Sequence, residues 1–143
     1  VEDGLLDTLA ELGLGCIAFS PLAQGLLTTK YLNGVPEGSR ATRSVSFSPE
    51  LITPENIERI SALNGIAKAR GQSLAQMAIA WVLRNPAVTS ALIGARNVEQ
   101  LDNSLDALNN LQFSDDELRS IDSHATEGGI DLWRSHSRIK PAA

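Results

Sequence analysis

A chain of 143 residues, 43% hydrophobic and 20% charged, has room for one ordinary globular domain and lacks the bias of a disordered or fibrous protein. Its net charge of −5 argues against a nucleic-acid or anionic-membrane surface, so any anion site has to be local. A single cysteine excludes an internal disulfide, and no leader pattern or apolar run of the ~18 residues needed to span a membrane is seen, which predicts a cytoplasmic protein.

The first element is a helix whose stripe is Leu5, Leu6, Leu9 and Leu12, ended by Gly13 and Gly15. Residues 16–19 are continuously apolar and stop at Ser20-Pro21, the pattern of a short strand buried on both faces, with Cys16 a small buried side chain within it. A long connection with Gly, Pro, Arg40, Arg43, Ser44 and Ser46 follows to about residue 53, with one helical turn expected at 25–32. Connections of that length are uncommon and point to a lid, a binding loop or disorder.

Three helix starts come next. Thr53-Pro54 opens a helix carrying Ile57, Ile60 and Leu63 and ending at Gly71. Ser73 and Gln76 form a capping box ahead of Leu74, Met77, Ala78, Trp81 and Val82, core positions that run until Asn85-Pro86. A second strand at 88–93 turns through Gly94-Ala95-Arg96 into a helix capped by Asn97 with Gln100, whose Leu101, Leu105 and Leu108 are expected to face inward. A last helix, 114–126, begins with the capping box Ser114–Glu117 and a Phe113–Leu118 staple, fades before Gly128-Gly129, and leaves a polar tail.

Alternation of strands and helices predicts parallel strands. Two short strands cannot shield this many amphipathic helices, so the sheet is expected to continue in a longer parent chain or in associated copies; a complete eight-stranded α/β barrel takes about 250 residues.

In parallel α/β folds ligands meet the carboxyl ends of the strands, which singles out two junctions. At Ser20-Pro21-Leu22-Ala23-Gln24-Gly25 the glycine permits close backbone approach, and the hydroxyl with nearby amides suits a pyrophosphate or the edge of a nicotinamide; the same string also reads as a plain tight turn. At Gly94-Ala95-Arg96-Asn97 a flexible turn, a cation and helix N-terminal donors meet, an anion site by composition, with a solvated surface arginine as the alternative. Lys30 and Arg40 are within reach of the same anion, although each alone also reads as a solvated cation. No nucleophile elbow, Walker loop or paired-cysteine metal motif is found. His124 and His136 read as surface residues, and Asp115, Asp116 and Glu117 as helix-start carboxylates rather than an acid–base pair.

Three strings carry a resemblance. They are the run from Ile17 through Ser20-Pro21-Leu22-Ala23-Gln24-Gly25 to Tyr31, then Ala78-Ile79-Ala80-Trp81-Val82-Leu83, then Ile93-Gly94-Ala95-Arg96-Asn97-Val98-Glu99-Gln100-Leu101. In order and spacing, from residue 1 to about Trp133, they resemble the C-terminal part of the aldo-keto reductases, within the branch of bacterial L-glyceraldehyde 3-phosphate reductases and potassium-channel β subunits.

The resemblance implies an α/β fold, the C-terminal portion of a (β/α)8 TIM barrel, in which residues 16–19 and 88–93 are strands seven and eight and the last helix is an addition. It makes residues 1–143 the C-terminal segment of one barrel domain, with the catalytic Asp, Tyr, Lys and His on earlier strands, outside this segment, so that the segment alone is inactive. It also implies NADP(H) as cofactor: Ser20, Pro21, Leu22 and Gly25 around the pyrophosphate, Lys30 and Arg40 on the phosphates, and Gly94, Arg96 and Gln100 at the adenosine 2′-phosphate and ribose. Ser104 joins the set, although this chain has Asn103-Ser104 where the family often has Glu-Asn, and Thr29 where it often has Gly. Trp133 and the tail line the substrate opening or simply anchor it.

The implied function is reduction of an aldehyde or ketone by the intact parent. The rivals are a non-catalytic, NADPH-sensing subunit and an inactive self-associating fragment. Expected partners are therefore a small-molecule carbonyl compound and, in the last case, further copies of the chain, with no nucleic acid and no membrane.

Overall fold

The computed structural model describes residues 4–37 and 52–126. In chain order they form α1 (Leu5–Glu11), β1 (Cys16–Phe19), 3₁₀ turns at Ala23–Gly25 and Thr29–Tyr31, α2 (Pro54–Ala69), α3 (Leu74–Leu83), β2 (Val88–Leu92), α4 (Val98–Leu105), a 3₁₀ turn at Asp106–Asn109 and α5 (Asp115–His124). The single turn expected at 25–32 is thus two tight turns, β2 stops one residue short of Ile93, and α5 ends before the predicted limit.

The two strands pair in parallel, the arrangement their alternation with helices requires. Cys16 pairs with Val88 and Ile17 with Ser90, so Thr89 is an extra residue bulged from the ladder. Its hydroxyl accepts the Cys16 N–H at 3.2 Å, satisfying a donor at the irregularity. Gly15 is needed next to it, since a Cβ there would lie 2.6 Å from Thr89 Oγ1.

Capping explains the helix starts. Thr53 accepts the Asn56 N–H, and the boxes Ser73–Gln76 and Ser114–Glu117 are both reciprocal. At the end of α2 the Gly71 N–H is donated to Lys68 and the Gln72 N–H to Ala67, with Gly71 at φ 70, a Schellman closure that glycine alone adopts without strain.

The core lies between helices and loop rather than on the sheet. Leu26 and Tyr31, from the connection after β1, pack with Ile60, Leu63 and Ala67 of α2, Leu74 and Met77 of α3, and Ile121 of α5. Four sequence expectations are corrected by this placement. Of the α1 stripe, Leu6 is buried, Leu9 is half-buried, and Leu5 and Leu12 are exposed. Strand β1 is not covered on both faces, because Ile17 and Phe19 point to an open side at 68% and 59% exposure. Cys16 is half-buried. Leu101, Leu105 and Leu108 do not face inward but are exposed. The common reason is that apolar periodicity marks a face without saying what covers it, and among the described residues these side chains are left largely uncovered.

Helices α2 and α5 are joined through Arg70, whose side chain is 3% exposed. Its guanidinium pairs with Glu117 at 2.7 Å, donates to the Gln112 carbonyl at 2.9 Å and the Gln72 amide oxygen at 2.9 Å, and lies 3.7 Å from the centre of the Phe113 ring. Gln72, itself buried, donates to the Asn110 carbonyl at 3.1 Å. Glu117 accepts the Ser114 N–H at 2.7 Å, and this bond, with the Arg70 charge beside it, holds its carboxyl below the usual 4.5.

A carboxyl whose pKa is lower folded than unfolded adds stability above its unfolded pKa, and that contribution is lost as pH falls through the folded one. Glu117→Gln is therefore expected to reduce stability at neutral pH and to flatten the decline below about pH 4.5. Urea unfolding midpoints over the acid range check this; an unchanged acid slope contradicts it.

Candidate functional site

Phe19 and Leu92, at the carboxyl ends of β1 and β2, open into a cleft of about 1060 Å³. Ligands of parallel α/β folds bind at this end because loops and helix N-termini converge there. Ser20, Pro21, Leu22, Gly25 and Lys30 line one wall, and Gly94, Arg96, Gln100 and Ser104 the other. Residues chosen at separate places along the chain thus share a single cavity. Arg40 lies outside the described residues, as do His136 and Trp133.

The first wall is a strained turn. Ser20, Ala23 and Gln24 have φ of 53, 45 and 58, left-handed values that cost a non-glycine residue about 1–3 kcal/mol each. Gly25 takes φ 100 without that cost. The bends are tied by the Ala23 N–H to the Ser20 carbonyl at 2.9 Å, the Gly25 N–H to Leu22 at 2.8 Å and the Leu27 N–H to Leu22 at 3.2 Å. Buried Leu26 and Tyr31 then anchor the turn in the core. Lys30 follows, half-buried, with its ammonium 5.4 Å from the centre of the Tyr31 ring.

On the opposite wall, Asn97 caps α4 by accepting the Gln100 N–H at 2.9 Å, while Gln100 Oε1 accepts the Arg96 N–H at 3.0 Å. Ser104 donates its hydroxyl to the Gln100 carbonyl at 2.9 Å. The Arg96 guanidinium is exposed and makes no hydrogen bond or ion pair with the described residues, whereas Arg59, Arg70 and Arg119 each hold a carboxylate and Arg84 stacks on Trp81. Gly94 does not adopt a left-handed φ, and a Cβ added there meets nothing within 4 Å. Neither backbone nor packing against the described residues therefore accounts for the glycine.

Lys30 and Arg96 face one lining carboxylate, Glu99, so the cleft is locally cationic in a chain of net charge −5. The start of α3, where Ser73, Leu74 and Ala75 also line the cleft, carries no ligand-site motif in the sequence. Its topology was a usable signal, because a helix returning between two parallel strands begins at their carboxyl ends.

A strained, glycine-bearing turn and a cationic helix start, paired across the ends of parallel strands, define an α/β protein with a locally cationic cleft at its strand ends. Residues 1–126 match the family described as the aldo/keto reductase family, and the chain belongs to it. It is 51% identical over 140 residues to L-glyceraldehyde 3-phosphate reductase of Escherichia coli O157:H7, and equally to that of strain K12, covering 95% of this chain and 40% of each relative. It is also 38% identical over 104 residues to a putative voltage-gated potassium channel subunit beta of Schizosaccharomyces pombe, covering 70% of this chain and 30% of that protein. The chain thus spans about 40% of the length of the reductases it matches.

Proposed function

We propose that this chain forms the cofactor-gripping part of an NADP(H)-dependent aldehyde or ketone reductase. In this reading β1 and β2 are the last two strands of an eight-stranded barrel, and the catalytic side chains stand on the remainder. The observation that carries the reading is the cleft itself, with an arginine that has no partner among the described residues at one wall and a strained glycine turn at the other. Exposed Ile17, Phe19 and Leu92 on the sheet support its continuation into further strands. Two cations against one carboxylate suit a ligand with several phosphates, and NADP(H) when bound supplies the hydride.

The chain's own residues have binding and orienting tasks. The Ser20–Gly25 turn and Lys30 take the pyrophosphate, with Arg40 added from the connection that follows. Arg96 takes the 2′-phosphate by charge-assisted hydrogen bonds, with the first-turn amides of α4 adding the favourable end of the helix dipole. Gln100 and Ser104 shape the ribose and adenine side. Gly94 lets the ligand approach the backbone.

The test is aldehyde-dependent oxidation of NADPH by the complete gene product, with L-glyceraldehyde 3-phosphate and unphosphorylated aldehydes as substrates. Turnover with NADPH well above that with NADH is expected. Absence of NADPH binding rejects the reading. Tight NADPH binding without turnover instead supports a nucleotide-sensing subunit, the alternative that the channel-subunit relative favours. Association of whole subunits through other surfaces is compatible with either.

A further inference from the structure

Besides its backbone hydrogen bonds and the packing of Leu26 and Tyr31, the strained turn is tied by the side-chain hydroxyl of Thr28. That hydroxyl donates to the Gly25 carbonyl at 2.7 Å and accepts the Lys30 N–H at 3.2 Å. One oxygen thereby bridges the glycine of the turn and the cation that follows it. Thr28 is extended, with φ −140 and ψ 169, and caps the Thr29–Tyr31 turn, so its side chain sets where Lys30 starts. Left-handed residues persist only where their surroundings over-determine them, and the turn contains three that are not glycine.

We infer that Thr28 is a positioning residue of the cleft. It acts through Gly25 and Lys30 to hold the dinucleotide pyrophosphate, a role that rests on the cofactor reading above. Because the pyrophosphate is common to NADPH and NADH, loss of the hydroxyl weakens both, in contrast to a residue that reads the 2′-phosphate. Valine matches threonine in shape and deletes both bonds; serine keeps them.

The experiment measures NADPH and NADH affinities by fluorescence titration for the complete gene product and its Thr28→Val, Thr28→Ser, Lys30→Ala and Thr28→Val/Lys30→Ala variants. Thr28→Val is expected to weaken both cofactors about tenfold, and Thr28→Ser to stay within about twofold of the parent. In the Lys30→Ala background the valine substitution is expected to have little further effect, because the residues act as a unit. A merely structural threonine would lower the melting temperature yet multiply with Lys30→Ala, and that result overturns the inference. Unchanged affinity in Thr28→Val overturns it also, as does a serine variant as weak as the valine one. If Thr28→Val does not fold, Thr28→Ala takes its place in the cycle. Failure of the unsubstituted protein to bind either cofactor rejects the underlying reading, whereas normal binding with an indifferent Thr28 rejects this inference alone.

Discussion

Replacing Arg96 by alanine is expected to weaken NADPH binding about 10- to 100-fold and to leave NADH binding almost unchanged. Charge-assisted hydrogen bonds contribute about 1.5–3 kcal/mol, and each 1.4 kcal/mol is a factor of ten in affinity. The guanidinium makes no hydrogen bond or ion pair with the described residues, so its removal orphans no group there and should change stability by no more than about 0.5 kcal/mol. Titration with both cofactors, alongside thermal unfolding, separates these effects. Since the residue is exposed, the loss should shrink as salt is raised. Equal weakening of NADPH and NADH would place the 2′-phosphate elsewhere.

The largest stability effect is expected at Arg70, which does not line the cleft. Arg70→Met should cost about 2–4 kcal/mol, somewhat less than breaking a fully buried ion pair, because Glu117 keeps about a third of its side chain in solvent. The substitution leaves the Gln112 carbonyl and the Gln72 amide oxygen without their donor and removes the cation from the face of Phe113. Arg70→Lys keeps the charge but not the planar fork, so an intermediate loss is expected. Urea unfolding at neutral pH reads both; a methionine variant as stable as the parent contradicts this role for Arg70.

Local signals were legible along the chain. Thr53, Ser73, Asn97 and Ser114 cap the helices they were expected to cap, because a cap is a contact within three residues and needs no tertiary information. The apolar run before Ser20-Pro21 and the alternation of elements likewise led to a parallel strand pair. Glycine, proline and a cation at the junctions after those strands pointed to an anion site through the chemistry of each residue type.

Only tertiary structure decided which of those signals share a place. Apolar periodicity identifies a face but not what covers it, so Leu101, Leu105 and Leu108 were expected to be inside and are exposed. Arg70 gave no pattern to read, since its partners lie 42 and 47 positions further along the chain and are brought to it by the packing of α2 against α5. The cleft is the same kind of fact: the turn after β1 and the turn after β2 meet because parallel pairing sets the two strand ends side by side. Composition and spacing determined the chemistry available to this protein, and the long-range ladder between β1 and β2 determined that it is gathered in one cavity.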